Sequence, residues 1–374
     1  MKAEASIWVV VVGLGFGAEF IPIYQDMKGV EAVGICARTA SKVKEVGDQF
    51  GIPEDLRFTD FDEMLKRDDI NAVHIVTPPQ AHAKQTIASL NAGKHTACTV
   101  PVSLSVDDCK AVVEAKNRAD KVYMMMETVL YSREYLYVKN LVESGKFGRI
   151  QFARGSHQQD MGLEGWPEYW LGFPPMFYGT HAISPLVDIN KALVDTVVCH
   201  GSGMIDEDMI PRYGSPFAIE TATFKLKESD VRIEATRSLY NTVRQYRESF
   251  DCYGEKMSFE WEQIAEEGHV LYEGGESARR IHVPDTDALL PEEIKKYTKR
   301  EQISDQDHVS FIQGAGHGGS HPHLVNEFVH AILEGRDSAV DAVKASNITS
   351  AGLCAHESAM KNGTEIKIPD YEDL

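Results

Sequence analysis

The sequence predicts an α/β protein of two domains. An N-terminal Rossmann domain with a doubly wound parallel sheet spans residues 1–127, and a C-terminal α/β domain with a large open, mainly antiparallel sheet spans 128–374. Three observations predict it. The first third alternates short continuous apolar runs with helical patterns, as βαβ units buried on both faces do. A glycine-rich turn, Gly13-Leu14-Gly15-Phe16-Gly17-Ala18, follows the first of those runs. From Arg149 onward the apolar pattern has period two, as in Arg149-Ile150-Gln151-Phe152-Ala153-Arg154, which suits strands with one covered face.

In chain order, Ile7 to Val12 is continuous and β-branched, as a central strand should be. Glu31 to Ala37, Ala72 to Thr77, His95 to Cys98 and Val122 to Met126 repeat the theme, with helical stretches at Ser41 to Phe50 and Ala81 to Ala92. A helix from Ser132 to Ser144 stops at Gly145. Strand-like runs follow at Thr196 to Gly201, Ala218 to Leu226, Val231 to Ser238, Glu248 to Tyr253 and Met257 to Trp261, and the helical pattern from His181 to Ala192 is a cover for that sheet. The charged, turn-rich stretch 262–319 carries no regular pattern. His321 to Leu333 and Val340 to Met360 are helical again, and Ile366-Lys367-Ile368 closes in extended form.

Composition bounds the function. A chain of 374 residues that is 43% hydrophobic can bury two cores. Its formal charge of −19 argues against a nucleic-acid partner, which needs a basic face. No apolar run reaches the roughly 18 residues of a membrane span, and no export signal is recognisable, so a cytoplasmic protein without a membrane partner is expected. Six cysteines without a Cys-x-x-Cys pair read as reduced core residues.

The glycine turn sits between a strand and a helical stretch, the context of a dinucleotide site. Gly13 permits the tight turn, Gly15 lets the backbone approach a pyrophosphate, and Gly17 and Ala18 allow close packing beside Phe16, with the helix N-terminus facing phosphate. The second strand ends at Ala37-Arg38 without the carboxylate that normally holds the adenosine ribose. NAD is the expected cofactor and NADP is permitted, because nothing repels a 2′-phosphate. Arg38 either pairs with that phosphate, stacks on adenine, or is an ordinary surface arginine. Thr77 and Pro78 end the third strand, where ligands of such sheets collect.

These segments, with Gly93-Lys94-His95, Thr77-Pro78-Pro79-Gln80-Ala81-His82, Gly145-Lys146-Phe147-Gly148-Arg149-Ile150 and Pro369-Asp370-Tyr371, resemble the Gfo/Idh/MocA family of nicotinamide-dependent sugar and cyclitol oxidoreductases. The resemblance implies that His82, Thr99, Val100, Pro101 and Glu127 join the cofactor site, and that the second domain builds a dimer or tetramer. It also implies a dehydrogenase triad, from which this chain departs. Thr99-Val100-Pro101 stands where ordinary members have Glu-Lys-Pro, and Phe177 stands for an aspartate four residues before a histidine, here His181.

A branch of the family, glycoside hydrolase family 109, has Val-Pro in place of Lys-Pro. Tyr178-Gly179-Thr180-His181 looks like its Tyr-Pro-Thr-His motif, Glu127-Thr128-Val129-Leu130-Tyr131 like its Glu-Asn-x-x-Tyr, and Gly316-His317-Gly318-Gly319 like its Gly-His-Gly-Gly loop. The resemblance implies hydride abstraction at a sugar carbinol, C3, within a redox-neutral glycoside cleavage, with a carbohydrate substrate. The alternatives are a net NAD(P)-dependent sugar or cyclitol dehydrogenase and a non-catalytic NAD(P)/sugar sensor.

Such a cycle needs a group for the C3 hydroxyl and a group for the C2 proton. His181 is the candidate for the first, and Tyr131 or Tyr178 for the second. Trp166, in an aromatic loop with Tyr169 and Trp170, suits a sugar ring or a lid, and equally subunit packing. Arg237, with Tyr240 and Arg244, suits an anionic substituent if it faces the nicotinamide, and otherwise a solvated sheet edge. His317, His321 and His323, with His308 nearby, match no standard zinc spacing. No metal is expected, and His317 is assigned to a substrate-side loop.

Overall fold

The computed structural model describes residues 1–244, 246–274, 277–298 and 317–374. His308 and Gly316 lie outside the described residues. Six strands form the first sheet: β1 (Ile7–Val12), β2 (Val30–Cys36), β3 (Arg57–Phe58), β4 (Ala72–Ile75), β5 (His95–Thr99) and β6 (Tyr123–Met126). They run in the order β3-β2-β1-β4-β5-β6, all parallel. The doubly wound order puts a crevice between the ends of β1 and β4, the place where open α/β sheets bind ligands. Strand β3 is two residues long and leaves no period in the sequence to read.

Nine strands form the second sheet. They are β7 (Ile150–Gln158), β8 (Val194–Met204), β9 (Phe217–Leu226), β10 (Arg232–Ser238), β11 (Arg247–Gly254), β12 (Ser258–Glu260), β13 (His269–Tyr272), β14 (Ala278–Ile281) and β15 (Ile366–Lys367). Their order is β14-β13-β12-β11-β7-β10-β9-β8-β15. Every pairing is antiparallel except β7 with β10, so the sheet is mixed. Strands β13 and β14 occupy part of the stretch in which no pattern was legible. Their exposed positions Tyr272, Ala278, Arg279 and Arg280 break the apolar rhythm that a strand signal needs.

The helix Thr180–Asn190 covers the buried face of this sheet, with Ala182, Ile183, Leu186 and Val187 in one core with β7, β9 and β10 residues. Its close seat on β7 depends on Gly155, because a Cβ there would strike the backbone oxygen of Ala182. The helix His321–Glu334 turns back onto the first sheet, where Leu324, Val325 and Phe328 join the core of Ile7, Val9 and Tyr24. The final long helix, Ala342–Met360, buries fifteen residues between the two sheets. Among the described residues no helix is long and apolar enough to cross a membrane.

Gly155→Ala is therefore expected to push the helix Thr180–Asn190 off β7 and to cost about 1–3 kcal/mol of stability. A lowered urea midpoint at unchanged slope checks it.

Candidate active site

The crevice at the end of β1 and β4 opens into a cavity of about 790 Å³ that continues to the covered face of the second sheet. Gly13, Gly15 and Phe16 line its first part. Gly13 has φ +97°, and a Cβ there would strike the Val76 carbonyl oxygen, so glycine is required. A Cβ on Gly15 would meet nothing within 4 Å, so its backbone is open to a close ligand. Gly17 and Ala18 do not line the cavity. Gly17 lies against Val11 and Val76, the helix-on-strand packing for which a small residue is needed. The turn opens into a five-residue 3₁₀ segment, Phe16–Phe20, before a six-residue helix, Ile21–Asp26 with Pro22 in its first turn, so the helix is shorter than the motif suggested.

Ala37, Arg38, Thr39 and Lys42 line the far end of the cavity, where an adenosine would lie, and no acidic residue lines it there. Thr77, Pro78, His82, Thr99 and Val100 form the wall nearer the second sheet. The His82 ring sits between two backbone oxygens, of Pro101 at 2.7 Å and Thr77 at 2.6 Å. It pins the two loops together. Pro101 contributes only that carbonyl and does not line the cavity.

The other end is built by a polar row across the second sheet. In register, Glu248 on β11 faces His157 on β7, which faces Arg237 on β10, which faces Glu220 on β9. All four point to the covered face, in the phase otherwise filled by Ala153, Phe250, Ile233 and Ala222. Above them, from the helix Thr180–Asn190, His181 places Nδ1 2.5 Å from Oε1 of Glu127. Glu127, at the end of β6, also accepts from the Ser184 hydroxyl at 3.1 Å and from the Val129 N–H at 3.3 Å. Its carboxylate is wholly buried and does not line the cavity. Glu127 is thus a positioning residue for His181 and makes no wall for the cofactor, because the strand ends with its side chain turned beneath the covering helix.

His181, Tyr178, Tyr246 and His317 line this end together with Trp166, Tyr169 and Trp170, and the Trp170 ring packs 4.8 Å from that of Tyr178. Nε2 of His181 lies 3.4 Å from the Tyr178 hydroxyl. Burial pushes the His181 pKa down, but the nearby charges of Glu127 and Glu248 outweigh it and hold the imidazole above its ordinary value. Burial would raise Glu248, yet the imidazoles of His181 and His317 hold its carboxyl well below the usual carboxylate range. The Tyr246 hydroxyl donates to the same carboxylate, and His317 Nδ1 stands 3.6 Å from it.

Two further assignments, Tyr131 and Arg237, are corrected by this geometry. Tyr131 closes the 3₁₀ turn Thr128–Tyr131 at the seam of the two cores and does not line the cavity. Arg237 is neither a solvated edge nor an anion clamp. It is fully buried, and its guanidinium donates to the backbone oxygens of Tyr178, His157 and Ser238 and to Gln159. Burial lowers its pKa to about 10, and its side chain stacks 5.2 Å from the Tyr178 ring centre. Of the three late histidines, His317 and His321 lie ring to ring at 5.5 Å and both pack on Phe16, while His323 points away and reaches Thr286 at 3.0 Å. Phe177, in the place of the aspartate, packs edge-on against His356.

Sequence reasoning missed His157, Glu248 and Tyr246. The readable signal was a polar residue at an inward position of an alternating strand, as in Ala153-Arg154-Gly155-Ser156-His157.

A strand, a glycine turn cut to fit a pyrophosphate, and a cavity that joins it to a histidine backed by a carboxylate define a nicotinamide-dependent oxidoreductase class of site. Residues 7–127 match the Gfo/Idh/MocA model, an oxidoreductase family with an NAD-binding Rossmann fold. A glycosyl hydrolase family 109 protein of Shewanella pealeana is 30% identical over 208 residues, covering 50% of this chain and 45% of that relative. A 4-carboxy-2-hydroxymuconate-6-semialdehyde dehydrogenase of Sphingobium is 30% identical over 179 residues, covering 47% of this chain and 56% of the relative. The chain thus spans about half the length of these curated relatives. The fold also matches levoglucosan dehydrogenase in complex with NADH and levoglucosan, with a TM-score of 0.76 at 18% identity, over 98% of this chain and 100% of the other.

Because the adenosine end carries Arg38 and no carboxylate, Arg38→Ala is expected to lower the ratio of NADPH to NADH affinity by about tenfold, the loss of one charged hydrogen bond. Fluorescence titration with both dinucleotides checks it.

Proposed function

We propose that this protein abstracts hydride from a sugar carbinol, at C3, as the first step of a redox-neutral glycoside cleavage. The observation that carries the reading is the buried His181–Glu127 pair at the cavity wall, in a site whose lysine and aspartate positions hold Val100 and Phe177. NAD or NADP would be held by Gly13, Gly15, Phe16, Ala37, Arg38, Thr77, Pro78, Thr99 and Val100. The open backbone at Gly15 and the cradle at Gly13 fit a pyrophosphate. A bound nicotinamide supplies the hydride acceptor and returns the hydride at the end of the cycle.

In this reading Nε2 of His181 takes the proton of the C3 hydroxyl as hydride leaves carbon. Glu127 fixes the ring through Nδ1 and balances the imidazolium. The resulting ketone acidifies the C2 proton, so that its transfer to His317 expels the aglycone, which takes a proton from the Tyr178 hydroxyl. Water then adds across the enone, its hydroxide to C1 and its proton to Tyr178, while His317 returns a proton to C2; with hydride restored to C3, His181 gives its proton back to the C3 oxygen.

Tyr178 and His317 are the groups on the same wall that meet the C2 proton. Burial pushes the Tyr178 pKa up, although Arg237 beside it pulls the other way, so its hydroxyl acts as a donor at neutral pH. His317, beside the Glu248 carboxylate, is the acceptor. Tyr169, Trp170 and Trp166 give the sugar an aromatic wall.

A net NAD(P)-dependent oxidation is the second reading, favoured by the dehydrogenase among the relatives. The two separate in deuterated water. The cleavage reading expects deuterium at C2 of the released sugar and no net accumulation of reduced nicotinamide. Stoichiometric reduced cofactor without label overturns it. His181→Ala is expected to lower kcat by at least about 100-fold while dinucleotide affinity stays within twofold, the scale for loss of a general acid–base group.

A further inference from the structure

The polar row holds a residue that the proposed reaction does not use. His157 is fully buried, and neither of its ring nitrogens has a hydrogen-bond partner among the described residues. A buried donor and acceptor left unmet are destabilising. The sheet register nevertheless sets this ring directly opposite Glu248, with Nε2 3.7 Å from Oε1 of the carboxylate. Nε2 of His181 lies 3.9 Å from the same oxygen, and one ligand atom from each of the three residues falls within 4.8 Å of the others.

We infer that His157, Glu248 and His181 form a binding site for a divalent transition-metal ion of the zinc type, at the sugar end of the cavity. Two imidazoles and one carboxylate are a donor set for such ions and a poor one for magnesium or calcium. Bonds of about 2.0–2.1 Å in tetrahedral geometry put ligand atoms about 3.3 Å apart, so from separations of 3.7, 3.9 and at most 4.8 Å shifts of up to roughly 0.8 Å per side chain close the site. The outer contacts suit it too. The second nitrogen of His181 is held by the Glu127 carboxylate at 2.5 Å, the partner that metal-bound imidazoles usually have. Tyr246 donates to Glu248 and fixes the ligand carboxylate. Three protein ligands leave the fourth position for water, on the side where His181 and Tyr246 meet the cavity.

The ion takes the lone pair on Nε2 of His181 that the proposed reaction reserves for the C3 proton. Zinc binding is therefore inhibitory and competes with the sugar, a consequence that rests on the proposed function, while the site itself does not. All six cysteines are buried singly as free thiols, so none offers a rival thiolate cluster.

Isothermal titration of the chelator-treated full-length protein with Zn²⁺, and visible spectra of the Co²⁺-substituted protein, read the site without turnover. One ion per chain is expected, with a four-coordinate Co²⁺ spectrum. Glu248→Gln and His157→Ala are each expected to weaken zinc by more than about 100-fold and Glu127→Gln by about 10–100-fold, the range for an outer-shell partner, while His200→Ala changes nothing. Far-UV circular dichroism and NADH binding confirm the fold, and if His157→Ala does not fold, Glu248→Gln decides. Absence of stoichiometric zinc, or zinc retained by folded Glu248→Gln, overturns the site. Zinc bound at one per chain without competition against the sugar keeps the site and overturns its inhibitory role through His181.

Discussion

The contact on which the site depends is the one between Glu127 and His181. Glu127 ends the last strand of the first sheet, and His181 begins the helix that covers the second, so a single buried hydrogen bond of 2.5 Å fixes the imidazole relative to both layers. A carboxylate with no solvent exposure is tolerated only when its oxygens are satisfied. Here a histidine ring, a serine hydroxyl and a backbone N–H satisfy them. The same contact sets the chemistry, because a carboxylate behind an imidazole favours its protonated form and selects which ring nitrogen faces the cavity.

The second sheet supplies the rest through register. Cross-strand neighbours on one face stand about 4.5–5.5 Å apart, so four polar residues at matching positions make a continuous row, with Glu248 next to His157, Arg237 and Glu220 in turn. The row ends at His356, whose Nδ1 lies 2.6 Å from Glu220. Arg237 holds three backbone oxygens around this row, and so makes a rigid floor under Tyr178 out of a residue that looked like a ligand clamp. Negative charge at Glu127 and Glu248 is matched locally by imidazole and guanidinium. The chain's net charge of −19 therefore says little about this corner.

Much of this was legible in the sequence. Long apolar runs at Ile7–Val12 and the period-two pattern after Arg149 located both sheets, and the glycine turn located the crevice, because those signals come from local sterics and burial. Strand β3 and the pair β13 and β14 were not legible, since a strand of two residues has no period and exposed edge strands lack an apolar one. Of the site, His181, Tyr178, Trp166 and His317 reach the cavity, whereas Tyr131, read from a motif resemblance, and Arg237, read from its strand, are turned away from it by packing. His157 and Glu248 are 91 residues apart and meet only through strand register, which no local pattern encodes.

The central claim is that a sugar carbinol gives up hydride at the His181 corner during every turnover. Stopped-flow absorbance of the nicotinamide, with a glycoside carrying either hydrogen or deuterium at C3, tests it most directly. The account predicts a transient of reduced nicotinamide that forms more slowly with the deuterated glycoside and decays as the product sugar is released. Cleavage with no reduced nicotinamide at any time, and with equal rates for the two glycosides, would contradict it.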